Sequence, residues 1–286
     1  MVDLNVIKEI SAQVLAIPTL KGSPDRYLID RSARVLRHCG SIAQLKEVQC
    51  FQIDRESLNI AAMFRDAGFA RYANQSDKAA RMVLADLTDE DLRDFSAQIV
   101  QEKLVGLLDA QQVERVCGII MESGNRHTRL IEAMILSDAR NLDDMGAVGI
   151  FNEFRRYVFH GRGASEALNS WNRKVEYDYW SARLRESFRF EPVRKLAQIR
   201  LRTAEKFMKQ LEIENRAADF EDTLLEQQLD DSAEPKTQTS PATVLHRPAS
   251  LPNNEPAGKK PAAVYETVAK SVDPAKNYRP SAKTYS

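Results

Sequence analysis

Ile60-Ala61-Ala62-Met63-Phe64-Arg65-Asp66-Ala67-Gly68 stays apolar for five residues and then closes on a charged pair and a glycine. The run ends a segment of helical periodicity that starts at Arg55, and Gly68 punctuates it as a turn. The Arg65-Asp66 pair makes this the most informative stretch of the chain.

Outward from it, the same periodicity recurs in Val2 to Leu15, Tyr27 to Leu45, Gln111 to Met121, Leu130 to Ser137, Gly149 to Phe159 and Val193 to Leu225. Thr88-Asp89-Glu90-Asp91 adds a further helix start. Its threonine can cap orphan amides, its acidic groups suit the positive helix end, and Leu92, Phe95, Ile99 and Leu107 follow at roughly helical spacing. Alternating β-branched runs are absent. Gly22-Ser23-Pro24, Gly68, Gly124-Asn125 and Gly161-Arg162-Gly163 separate the segments as short turns. An all-α domain follows, compact rather than solenoidal.

The chain changes character near Leu229. Before it only Pro18, Pro24 and Pro192 interrupt the helical pattern, whereas Pro235, Pro241, Pro248, Pro252, Pro256, Pro261, Pro274 and Pro280 come after it. A segment this poor in apolar surface cannot offset the entropy of ordering, so residues 231–286 are expected to form a disordered tail. The predicted organisation is an N-terminal helical segment over 1–24, a helical domain over 25–230, and that tail. Ala269-Lys270-Ser271, Ala275-Lys276-Asn277-Tyr278 and Ala282-Lys283-Thr284-Tyr285 echo one another weakly and offer a docking motif for a protein partner.

Forty-one basic and 41 acidic residues leave no formal net charge, so there is no global electrostatic case for nucleic acid or an anionic membrane. The tail's eight basic and five acidic residues put it at +3 and residues 1–230 at −3, an asymmetry too small to name a partner. Asp3, Lys8 and Glu9 do not fit a signal peptide, and no later stretch holds about 18 uncharged apolar residues, so the expected location is the cytoplasm. Cys39, Cys50 and Cys117 are odd in number and lack Cys-x-x-Cys spacing, and are expected to be buried reduced thiols.

Three stretches resemble the HD superfamily of metal-dependent phosphohydrolases, in its small soluble bacterial branch. Family members carry a histidine about three residues before an Arg-Val pair; Asp30-Arg31-Ser32-Ala33-Arg34-Val35 has that frame with Arg31 in the histidine's place. Their apolar helix ends in His-Asp-x-Gly, matched by Ala61-Ala62-Met63-Phe64-Arg65-Asp66-Ala67-Gly68. Their Asp-Ala-Asp-x-Leu-Asp-x-x-Gly-x-x-Gly element is similar to Asp138-Ala139-Arg140-Asn141-Leu142-Asp143-Asp144-Met145-Gly146-Ala147-Val148-Gly149. Glu191-Pro192-Val193-Arg194-Lys195-Leu196-Ala197 and Arg200 to Glu214 resemble the closing helix, so the likeness spans roughly residues 25–215. It implies the compact HD helical fold.

Carried over position by position, the family's metal-ligand set becomes Arg31, Arg65, Asp66 and Asp138. Guanidinium has no lone pair and stays charged, so two ligands are lost. The resemblance therefore implies a degenerate, catalytically lapsed site with no cofactor and a binding, sensing or scaffolding role. If these positions converge, Arg31 and Arg65 can pair with Asp66 and Asp138 and supply about the charge of a divalent ion. One reading is a satisfied ion-pair network. Another is a remnant pocket in which Arg31, Arg65 or Arg140 binds a phosphate-bearing small molecule without hydrolysing it. The alternative is a residual phosphohydrolase acting on a nucleotide or other phosphate ester, with Mg²⁺ or Mn²⁺ held by Asp66 and Asp138.

His127 lies where some HD enzymes place an extra histidine and is the candidate for retained chemistry, as ligand or general acid. His38 comes seven residues, about two helical turns or 10 Å, after Arg31 and is too far to replace it. Neither a phosphate loop nor a Gly-x-Ser-x-Gly nucleophile elbow occurs. Trp171, Tyr177, Tyr179 and Trp180 interleave with Arg173, Lys174, Arg183 and Arg185, a mixture that can hold single-stranded nucleic acid but is read here as helix packing beside a solvated basic face.

Overall fold

Ile60 to Phe64 leave the second half of helix α3 (Arg55–Phe64) without a polar face, and all five residues are buried. In the computed structural model, which describes residues 3–18, 24–75, 88–221 and 223–225, α3 is the central element. It packs against α1 (Leu4–Leu15), α2 (Tyr27–Ile42), α5 (Asp89–Leu104), α6 (Ala110–Glu122) and α7 (Ile131–Asp143). Phe64, fully buried, alone contributes about 1.5–3 kcal/mol of transfer free energy. The remaining helices are α4 (Ala67–Gln75), α8 (Gly146–Phe159), α9 (Ala164–Glu176), α10 (Tyr179–Glu186) and α11 (Glu191–Asn215). A two-residue antiparallel pairing of β1 (Ile17–Pro18) with β2 (Pro24–Asp25) is the only named sheet among the described residues, and the fold is all-α.

The chain divides into two units, 1–234 and 235–286, and all the described residues belong to the first. The tail expected over 231–286, with its echoed motifs, lies outside them. The N-terminal segment shares the core of the domain: Ile7, Ser11 and Leu15 recur every four residues along α1 and are buried. Among the described residues no helix is long and apolar enough to cross a membrane.

The end of α3 is held by hydroxyls from three other helices. The Met63 carbonyl accepts from Ser11 Oγ at 3.0 Å and from Ser32 Oγ at 3.2 Å. Ser96 Oγ donates to the Arg65 carbonyl at 2.9 Å and accepts from Gly68 N at 2.8 Å. Carbonyls left over at a helix end need such partners when buried. Gly68 is required by contact rather than by torsion, since a Cβ there would sit 2.3 Å from the Leu92 carbonyl oxygen of α5. α5 itself begins with the expected capping box. Thr88 Oγ1 accepts from Asp91 N, and Asp91 Oδ2 accepts from Thr88 N, each at 3.1 Å.

Several elements depart from the periodicity. α10 buries no residue and α9 buries only Ala167, Leu168 and Trp171, so neither has the wide apolar stripe that periodicity detects. α11 stops at Asn215 instead of running to Leu225, because Ala217 takes φ 52 just beyond it. Cys39 and Cys117 are buried, but Cys50 is exposed in the loop after α2, which corrects the expectation for that thiol. Trp171 and Trp180 pack with ring centroids 5.0 Å apart and planes tilted by 40°, and Lys174 Nζ lies 5.6 Å from the Trp180 ring, a packing role, while Tyr177 stays 75% exposed.

Candidate functional site

Because Arg65 is the C-cap residue of α3, Arg65 and Asp66 stand at the corner where α3 hands over to α4. Arg31 projects from the buried stripe of α2 and Arg140 from α7. All three guanidiniums meet the Asp66 carboxylate. Arg31 Nε lies 2.9 Å from Asp66 Oδ2, Arg140 Nε 3.3 Å from Oδ1, and Arg65 Nη1 3.8 Å from Oδ1. Two further aspartates extend the cluster. Asp89, the first residue of α5, accepts from Arg65 Nη2 at 2.7 Å and lies 3.3 Å from Arg140 Nη2, and it also pairs with Arg93. Asp144, just past α7, accepts from Arg31 Nη2 at 2.9 Å and from Arg183 Nη2 at 3.3 Å. Tyr27 Oη and Ser123 Oγ take one more donor each, from Arg31 Nη1 at 3.0 Å and Arg65 Nε at 3.2 Å.

The network holds five arginines, Arg31, Arg65, Arg93, Arg140 and Arg183, and three aspartates, Asp66, Asp89 and Asp144, a formal surplus of two positive charges. Its inner members are deep: the side chains of Arg31, Arg65 and Asp66 are 7%, 3% and 3% exposed. Donor capacity exceeds acceptor capacity there. Arg65 Nη1 has no hydrogen-bond partner, and Arg31 Nε approaches Asp66 without hydrogen-bond alignment.

The electrostatics follow from this crowding. Burial by itself would raise the Asp66 carboxyl, but Arg31, Arg140 and Arg65 outweigh it and hold the pKa at about 2. Burial and the neighbouring Arg140 push Arg65 down to about 10, with Asp89 and Asp66 opposing, so it stays cationic at neutral pH. For Arg31, Asp144 and Asp66 overcome burial and raise the pKa. Asp89 and Asp144 are held below the ordinary carboxylate range, each against the effect of burial, by Arg65 and Arg31 respectively.

Asp138 does not join. Its carboxylate accepts from the backbone amides of Arg189 and Phe190 at 3.0 Å, and Arg189 Nη1 lies 3.6 Å away. The expected pairing of Arg31 and Arg65 with Asp138 is therefore corrected: this residue anchors the start of α11, where orphan amides need an acceptor. Burial raises its carboxyl pKa to about 6, and the amide hydrogen bonds pull it back only in part. Asp143 is likewise spoken for, with Arg34 Nε at 2.6 Å and Nη2 at 3.1 Å. His127 is exposed in the loop between α6 and α7, where its backbone amide donates to Asn125 Oδ1 at 2.9 Å, and it is not among the network's partners. His38 lies near Arg200, with Nε2 3.5 Å from Nη2, and its pKa is lowered by burial and that guanidinium.

Sequence reasoning missed Asp89, Asp144, Arg93 and Arg183 as site members. Asp89 was legible only as a first-turn carboxylate, and Asp144 only as a member of the third motif. Arg183, expected on a solvated basic face, instead reaches in from α10 to Asp144.

A divalent metal does not fit these residues. Arg31 and Arg65 are guanidiniums without a lone pair, and Asp138 is committed to backbone amides. Among the described residues no three His, Cys, Asp or Glu side chains group so as to hold an ion.

No protein-family profile and no curated protein matches the chain. Solved structures similar to it include YpgQ from Bacillus subtilis in complex with ADP, 19% identical over 74% of this chain and 97% of that one, with a TM-score of 0.49. YpgQ is also represented by a structure at 21% identity, 74% and 96% coverage and a TM-score of 0.48. A predicted HD superfamily hydrolase from an uncultured Thermotogales bacterium is 20% identical over 74% of this chain and 92% of that one, with a TM-score of 0.44.

Proposed function

We propose that this chain is an HD-type protein that binds rather than hydrolyses, its metal replaced by fixed guanidinium charge. The observation that carries the reading is the surplus of two positive charges around Asp66, built from five arginines and three aspartates. That surplus equals the charge of a divalent ion but offers neither a Lewis acid nor a means of generating hydroxide from water. What it does offer is donors. Arg140 and Arg183, at the 19% and 18% exposed edge of the cluster, present forked N–H groups that suit the oxygens of a phosphate-bearing small molecule, with Arg31 and Arg65 behind them. None of the cluster's three carboxylates is poised as a general base: Asp66 and Asp89 are each shared by three guanidiniums and Asp144 by two. The ligand is held and released unchanged.

The test combines metal analysis of purified protein, phosphate release from a panel of nucleotides and sugar phosphates with Mg²⁺ or Mn²⁺ added, and thermal shift with orthophosphate. Expected are no stoichiometric metal, no turnover, and a stabilisation by orthophosphate that Arg140→Ala abolishes. Metal-stimulated hydrolysis lost in Asp66→Ala would overturn the reading, as would an orthophosphate response indifferent to Arg140.

A further inference from the structure

A second concentration of positive charge lies at the corner between α8 and α9, and none of its residues belongs to the Asp66 network. α8 ends at Phe159 with His160 as its C-cap, Gly161 turns the chain with φ +65, and Gly163 N donates to Glu166 Oε2 at 3.0 Å to start α9. Arg156 in the last turn of α8 and its C-cap His160 are four residues apart, and Glu166, Ser170 and Arg173 recur at helical spacing on α9. These two faces, with Arg162 from the turn, line a cavity of about 420 Å³.

Charge there is not balanced. Arg156 lies 3.6 Å from Glu153, which Lys174 also contacts, so two cations share one carboxylate. Glu166 has one oxygen committed to the Gly163 amide. Arg162 and Arg173 are exposed and have no acidic partner among the described residues. On the lining itself three arginines thus face one carboxylate, that of Glu166, before His160 is counted. The C-terminal carbonyls of α8 would repel an anion, but those of Arg156, Tyr157 and Val158 already accept from the amides of His160, Gly161 and Arg162. Ser170 and Asn169 add neutral donors to the lining.

We infer that this cavity binds a small phosphorylated anion, recognised by Arg162 and Arg173 with Arg156 as the third cation. Guanidinium forks provide the planar recognition of phosphoryl oxygens, and the volume exceeds the needs of one phosphoryl group, which favours a diphosphate or a phosphate ester over a single free ion.

Calorimetric titration of the full chain with inorganic pyrophosphate at low ionic strength tests it. Arg162→Ala with Arg173→Ala should weaken one binding event about tenfold or more, and Arg162→Lys with Arg173→Lys should restore part of it. Both side chains are solvent-facing, and an unchanged far-UV circular dichroism spectrum in both variants shows the fold is retained. Arg140→Ala should leave this event intact, which separates it from binding at the Asp66 network. No heat with pyrophosphate, an isotherm unchanged in the Arg162/Arg173 alanine variant, or a signal removed by Arg140→Ala alone would each overturn the assignment.

Discussion

Asp66→Asn changes almost no volume but removes the one anion that three guanidiniums share, at a side chain 3% exposed. The folded carboxyl sits at about 2 against an ordinary 3.8. By linkage that difference makes the ionised form worth about 2 kcal/mol of stability at neutral pH. The amide adds a further cost, because its N–H₂ faces other donors, and breaking buried pairs in this way typically costs about 3–5 kcal/mol. The expected loss is therefore about 3 kcal/mol, or a fall in Tm of about 6–12 °C for a domain of this size.

The sign of the pH dependence is set by the depressed pKa. The contribution is complete above the ordinary carboxylate value and disappears as pH falls from about 4 to about 2. Urea melts followed by circular dichroism, run on wild type and variant at neutral pH and near pH 3, should show the gap narrowing by about 1 kcal/mol on acidification. A variant within about 0.5 kcal/mol of wild type at neutral pH, or a gap that does not narrow, would refute the claim that Asp66 anchors the network.

Two other outcomes follow from the same geometry. Gly68→Ala forces a Cβ to within 2.3 Å of the Leu92 carbonyl, a backbone atom with no rotamer to yield, and should cost about 1–3 kcal/mol in the same urea melts. Asp138, whose carboxyl burial lifts to about 6, holds its proton more tightly in the folded state. Its contribution therefore grows as pH falls from about 6 towards 3.8 and is lost as pH rises through that window. A carboxyl ¹³C titration of Asp138 should show a midpoint near 6, and one below about 4 would contradict the burial argument.

The helical class was legible because α1, α2, α3, α6 and α7 each bury a face of the core and so carry an apolar repeat at helical spacing. α10 escaped for the converse reason: a helix that buries nothing leaves no such mark. Within the site, Arg31, Arg65, Asp66 and Arg140 stand in recognisable motif frames, and the structure brings all four together. Asp138 stands in a frame as well, yet it turns to the backbone of Arg189 and Phe190.

The amino-acid sequence alone determined which chemistry Arg31 and Arg65 can offer. A guanidinium carries no lone pair to offer a metal, and no folding can supply one. Tertiary structure decided which carboxylate meets which arginine. Asp89 lies 24 residues from Arg65, Asp144 113 residues from Arg31 and 39 from Arg183. A side-chain charge acts over a few ångströms in a buried site, so the partners are set by how α2, α5, α7 and α10 pack around the end of α3, and chain order does not record that distance.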